Sequence, residues 1–168
     1  MRYIGFIFAL CLSIQAIASN TITLSSVSGT PQTEVDVVVS LDNTDAITAL
    51  ELNIPLGEHL SYVTNSAVLS TARSNGHMLS AAQVGQELRI YVYSFSQNAL
   101  NGNTGELLTF CLLLGNEPAD YALIPTVVLS NAQGISIAGS TQTGTVAIQA
   151  PKLQIVNPQI DYGHIPIR

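Results

Sequence analysis

The stretch EVDVVVSLDNTDAITALELNI, residues 34–54, carries the reading of the fold. Val35, Val37, Val39 and Leu41 share one parity, with Asp36 and Ser40 on the other, which is the period of a half-buried β-strand. Asp42-Asn43 then breaks the run with turn residues. Leu50, Leu52 and Ile54 resume the alternation against Glu51 and Asn53, and Pro55-Leu56-Gly57 ends it. Each of these two alternating strands is read as half-buried, with one face toward a core. The same texture extends outward in both directions. Thr21–Val27 alternates weakly, and Leu88, Ile90 and Val92 oppose Arg89, Tyr91 and Tyr93. Leu107–Leu114 is apolar on both faces, as in a central strand or one whose outer face is covered. Leu123–Leu129 and Thr143–Ile148 complete the set. Residues 67–82 read as two short strands around the turn Ser74-Asn75-Gly76, with a short helix as the alternative. Nowhere is helical spacing sustained. Eight or nine short strands at this spacing predict an all-β domain, an antiparallel β-sandwich or barrel.

Composition narrows the class. Of 168 residues, 47% are apolar and 10% charged, too apolar and too sparsely charged for a disordered chain. The net charge of −6, with five basic residues, excludes a general nucleic-acid binder, which must neutralise several phosphates. Residues 1–18 read as an export signal: Arg2, an uncharged apolar stretch from Ile4 to Ile14, then Ala16-Ile17-Ala18 before a cleavage point. Its removal leaves four basic residues against 11 acidic ones, a net charge of −7, and one cysteine, Cys111. A domain with one cysteine has no internal disulfide and depends on its core. Residues 19–148 are read as that domain. After Ile148, Pro151, Pro158 and Pro166 mark a linker and the start of another unit, residues 149–168.

No catalytic constellation stands out. His59, His77 and His164 share no metal-ligand spacing, and there is no Gly-x-Ser-x-Gly elbow. Among 11 acids many pairs are conceivable, but none has a recognisable site around it. Asp42, Asn43 and Asp45 offer hard oxygens at close spacing, which calcium uses, yet the glycine and terminal glutamate of an EF-hand loop are missing. An Asx turn is the simpler reading. Tyr91, Tyr93 and Phe95 share a parity and form an aromatic row. Packed inward, the row serves the core, the reading preferred at this point; facing outward, it could stack sugar rings.

Glu34–Leu41, Asp42-Asn43, and Ile47–Ile54 with Pro55 and Leu60 together resemble the cohesin domain. So does Glu87–Tyr93 followed by Gly105-Glu106-Leu107-Leu108-Thr109-Phe110, which matches a Gly-x-Leu-x-x-Phe strand opening. Ile54-Pro55 stands where cohesins usually carry Tyr-Asp-Pro. The resemblance spans Thr21 to Ile148. It implies a nine-stranded jelly-roll sandwich, a non-enzymatic secreted scaffold in a polysaccharide-degrading or cell-surface assembly, and a dockerin-like partner whose calcium sits on the partner's side. No cofactor or metal is implied for the chain itself. It also implies a partner face on strands matching Ile47–Ile54, Val68–Thr71, Met78–Gln83 and Leu107–Leu114. By parity, the outward positions are Ala49, Glu51 and Asn53 on one strand and Thr109, Cys111 and Leu113 on another, expected to form one patch. The tail, with Pro158 and Ile160-Asp161-Tyr162-Gly163-His164-Ile165-Pro166, is similar to the opening strand of Hydin-type Ig-like domains. Two alternatives to docking stand: a carbohydrate-binding module using Tyr91, Tyr93 and Phe95, with polysaccharide as the partner, and a structural spacer.

Overall fold

The computed structural model describes residues 19–151. The expected leader (1–18) and all but the first residues of the expected tail unit lie outside the described residues. Fourteen strands follow in order: β1 (Thr21–Leu24), β2 (Val27–Gly29), β3 (Glu34–Asp42), β4 (Ala49–Pro55), β5 (Leu60–Tyr62), β6 (Val68–Leu69), β7 (Met78–Val84), β8 (Glu87–Tyr93), β9 (Glu106–Leu114), β10 (Asp120–Leu123), β11 (Thr126–Ser130), β12 (Ser136–Ile137), β13 (Ser140–Gln142) and β14 (Gly144–Ile148). Nine of these have four residues or more; the other five have two or three.

The strands form two main sheets and a small one. The first has the order β13-β1-β3-β9-β5, with β6 also paired to β9. The second has the order β12-β11-β4-β8-β7, and a three-stranded sheet has the order β10-β14-β2. The alternation in residues 34–54 decides how the main sheets meet. Val37, Val39 and Leu41 of β3 and Leu108, Phe110 and Leu112 of β9 are buried from one side. Leu50, Leu52 and Ile54 of β4 and Leu88, Ile90 and Val92 of β8 are buried from the other, in the same core cluster. Each such aliphatic side chain contributes about 1.5–3 kcal/mol through burial. No disulfide is needed beside a core of this size, and Cys111 is a free thiol.

Leu107–Leu114 is central, as its two apolar faces predict: β3 lies on one side, β5 and β6 on the other. A register shift between Val39 and Ser40 lets both Leu107 and Leu108 be buried. Residues 67–82 contain two strands and a turn, without the helix alternative.

The sandwich is not wholly antiparallel. β1 pairs with β13, and β2 with β14, in parallel. The first and last segments of the sandwich run side by side, and both cross from the first sheet to the small one at the same level. The crossing is tight. Ser25 N–H donates to the Val38 carbonyl at 2.9 Å, and Val38 N–H donates back to Ser25 Oγ at 2.9 Å. A Cβ on Gly144 would lie 2.5 Å from the Ser25 carbonyl oxygen, so only glycine fits.

Candidate docking face

The outer face of the second sheet is built by register. One row across it reads Ser130, Ala49, Tyr93, Met78, and the next Val128, Glu51, Tyr91, Ser80. Beyond these come Thr126, Asn53, Arg89, Ala82, then Pro55, Glu87, Val84. The inward parity of each strand has gone to the core, so these side chains face away from it. Val128 is 54% exposed, Met78 47%, Val84 55% and Tyr91 38%, and they stand on three different strands of one surface. A shallow depression of about 200 Å³ lies between Ala49, Glu51, Tyr91, Tyr93, Val128 and Ser130.

Polar groups hold the centre. Glu51 Oε1 accepts from Asn53 Nδ2 at 3.0 Å and from the Tyr91 hydroxyl at 3.4 Å. Asn53 Oδ1 is buried without a partner among the described residues. Arg89 Nε donates to Glu87 Oε2 at 2.8 Å, closing an exposed ion pair on the same strand. Such a pair adds little to stability but fixes where the charge sits.

The structure corrects two expectations. Tyr91, Tyr93 and Phe95 do not pack in the core, because Leu88, Ile90 and Val92 of β8 already fill it. Tyr91 and Phe95 are exposed and Tyr93 is half-buried. Tyr93 and Phe95 meet edge to face, with centroids 5.2 Å apart and planes at 81°. Ala49, Glu51 and Asn53 thus share their face with the tyrosines rather than with the other three expected contact residues. Thr109, Cys111 and Leu113 belong to β9 in the first sheet and lie on the opposite side of the sandwich. The six residues cannot form one patch. Val68–Thr71 and Met78–Gln83 are divided in the same way, β6 joining the first sheet and β7 the second.

Cys111 also makes little surface. It is buried, its N–H donates to Ser66 Oγ at 2.9 Å, and Sγ lies 3.6 Å from Glu34 Oε2. Burial, reinforced by Glu34 and Asp36, pushes its thiol up to about 11. It is held in the inert thiol form.

The Asp42–Asp45 segment is a loop tied by side-chain hydrogen bonds, but not through the side-chain oxygen of an Asx turn, because Arg73 occupies Asn43 Oδ1. Asn43 Nδ2 donates to the Asp45 carbonyl at 2.8 Å, and Asn20 Nδ2 donates to Asp45 Oδ2 at 2.7 Å. A cation is already present: buried Arg73 donates from Nη2 to Asn43 Oδ1 at 2.6 Å. Among the described residues, no three His, Cys, Asp or Glu side chains group in a way that could hold a metal. His59 instead stacks on Tyr121, centroids 5.0 Å apart, and His77 is buried. His164 lies outside the described residues.

Sequence reasoning placed the strand of Met78 on the partner face but missed Val84, Arg89 and Val128 as members of it. The parity of each strand was readable, but membership of a common sheet depends on pairings distant in the chain, as between Val128 and Glu51 or Arg89 and Asn53.

No family model matches the sequence, and no curated protein matches it. Solved structures do match in fold. A non-cellulosomal cohesin from the archaeon Archaeoglobus fulgidus superposes with a TM-score of 0.66 at 18% identity, covering 78% of this chain and 91% of that one. The sixth cohesin of Acetivibrio cellulolyticus scaffoldin B, in complex with a mutated Cel5 dockerin, gives 0.64 at 11% identity, covering 78% and 99%. The Clostridium thermocellum OlpA cohesin, in a type I complex with a dockerin, gives 0.64 at 12%, covering 77% and 99%. The described domain therefore has a cohesin-like jelly-roll fold.

Proposed function

We propose that this chain, a domain of cohesin-like fold, is a non-catalytic, secreted docking module. Its β11-β4-β8-β7 face receives a helical, dockerin-like protein that carries its own calcium. The observation that supports the reading is the face itself. Val128, Tyr91, Met78 and Val84 are exposed on one sheet surface around a polar centre at Glu51 and Asn53. An apolar surface with a few fixed polar groups suits the apolar side of a helix, and such patches mark interaction sites. Two similar structures hold dockerins, which supports the partner class. Another is described as non-cellulosomal, so the proposal extends to docking and not to polysaccharide degradation. No helix among the described residues is long and apolar enough to cross a membrane. Export rests on the leader-like residues 1–18.

Direct polysaccharide binding by Tyr91, Tyr93 and Phe95 has less support, because the edge-to-face pair presents no flat platform. The test uses the mature chain as bait in extract from the secreted fraction, with and without EDTA, followed by mass spectrometry. The expected result is a partner with two repeated acidic calcium loops, retained only without EDTA. It should also be lost when Tyr91→Ala and Val128→Asp are combined. Retention by polysaccharide beads without any protein partner would favour the carbohydrate reading. Retention of neither would leave a spacer.

A further inference from the structure

The two main sheets part at one edge. β5 and β6, with three and two residues, are too short to cover the seven residues of β7. The inward side chains of β7, Leu79 and Ala81, are only half-buried, whereas Leu88, Ile90 and Val92 beside them on β8 are sealed. The result is a cleft of about 460 Å³, within the size range of small-molecule sites. It uses the parity of β7 opposite to that of Met78 and Val84. It is therefore separate from the proposed docking face, and the two could be occupied together.

The lining has two characters. Tyr62, Ala67, Leu69, Leu79 and Ala81 supply an apolar wall. Tyr62 is fixed at both ends: its N–H donates to Gln83 Oε1 at 2.8 Å and its hydroxyl accepts from Ala67 N–H at 3.2 Å. Asn65, Thr71, Ser74 and His77 supply polar groups. His77 Nδ1 accepts from Asn75 N–H at 3.4 Å, while its Nε2 is buried with no partner among the described residues. Burial holds the imidazole below its usual range, a shift that the Thr48 carbonyl only partly opposes. No Asp, Glu, Lys or Arg lines the cleft.

That combination selects a ligand class. A charged ligand would enter without a counter-charge, which desolvation penalises. A wholly apolar one would leave the hydroxyl and amide groups of Thr71, Ser74 and Asn65 unmatched. A pyranose ring matches both, with C–H faces for the tyrosine and aliphatic wall and hydroxyls for the polar groups. We propose that this cleft binds a small neutral saccharide.

The test is a titration of the isotope-labelled secreted chain with D-glucose, D-xylose, D-mannose, N-acetyl-D-glucosamine and cellobiose, followed by amide NMR. At least one sugar should shift Tyr62, Leu69, Ser74, His77 and Leu79 saturably. Ala81→Phe, which fills the cleft, should weaken that binding about tenfold or more. If that variant fails to fold, the rim variant Thr71→Val with Ser74→Ala should weaken binding by about threefold or more. D-glucuronate should bind more weakly than glucose. The proposal is overturned by the absence of shifts with every sugar, by shifts confined to Tyr91, Tyr93 and Phe95, or by equal binding of glucuronate. It is also overturned if the cleft variants lose protein capture while no sugar binds the parent. Capture that survives in variants lacking sugar binding supports it and leaves the docking reading untouched.

Discussion

Arg73 shows how a single residue can organise the end of a sandwich. It is 3% exposed, and burial lowers its pKa against the opposing pull of Asp42. Its Nη2 donates to Asn43 Oδ1, while Nε has no partner among the described residues. Replacement by methionine keeps much of the bulk but orphans the Asn43 acceptor. Arg73→Met should therefore cost about 2–3 kcal/mol in urea unfolding. An unchanged midpoint would mean that the guanidinium merely fills space. Cys111 makes a prediction in pH. Its thiol is raised from 9.0 to about 11, so the folded state holds the proton more tightly than the unfolded chain. The associated stability is complete below about pH 9 and is lost as pH rises toward 11, on the order of 1–2 kcal/mol. Unfolding curves from pH 8 to 11 should show this loss, and Cys111→Ala should remove it.

At the scale of elements, the crossing between β1/β2 and β13/β14 has the least tolerance. A methyl at Gly144 meets the Ser25 carbonyl at 2.5 Å, and that carbonyl is backbone that cannot rotate away. Gly144→Ala should cost about 2 kcal/mol or more, a larger effect than its apolar gain, and should speed amide exchange in both β2 and β14. Exchange confined to β14 would mean that the two segments move independently. This crossing was not legible in the sequence, whereas the strands were. Alternation at Val35–Leu41 and Leu50–Ile54 follows from a period set by local backbone geometry, and the core takes the parity that lacks Asp36, Ser40, Glu51 and Asn53. Tyr91 and Tyr93 resisted the same logic, since both parities of β8 are apolar and hydropathy alone does not choose between them. Pairing choice is longer in range still. Nothing within Leu107–Leu114 says that its sheet partner is Glu34–Asp42 rather than Ala49–Pro55, so Thr109, Cys111 and Leu113 were grouped with residues of the opposite sheet.

The whole molecule offers two outer sheet faces, and they differ in what they expose. One presents Val128, Tyr91, Met78 and Val84 around Glu51; the other presents Val68, Leu113 and half-buried Thr109 around buried Cys111, whose N–H is held by Ser66 and whose thiol meets Glu34. Matched substitutions can ask which face docks. Val128→Asp and Leu113→Asp each place one carboxylate at an outward strand position, and both parent side chains are partly exposed, 54% and 37%, so the core is left intact. A desolvated carboxylate without a partner costs several kcal/mol at the centre of an interface but almost nothing on a free surface. With circular dichroism and melting temperature close to the parent for both, Val128→Asp should weaken capture of a calcium-loaded, dockerin-like partner by about a hundredfold or more. Leu113→Asp should change it less than about threefold. The reverse pattern would move the docking site to the first sheet and restore Thr109 and Leu113 as contacts. Equal losses would mean that the partner reaches around the sheet edge, and equal tolerance would leave neither sheet face as the docking surface.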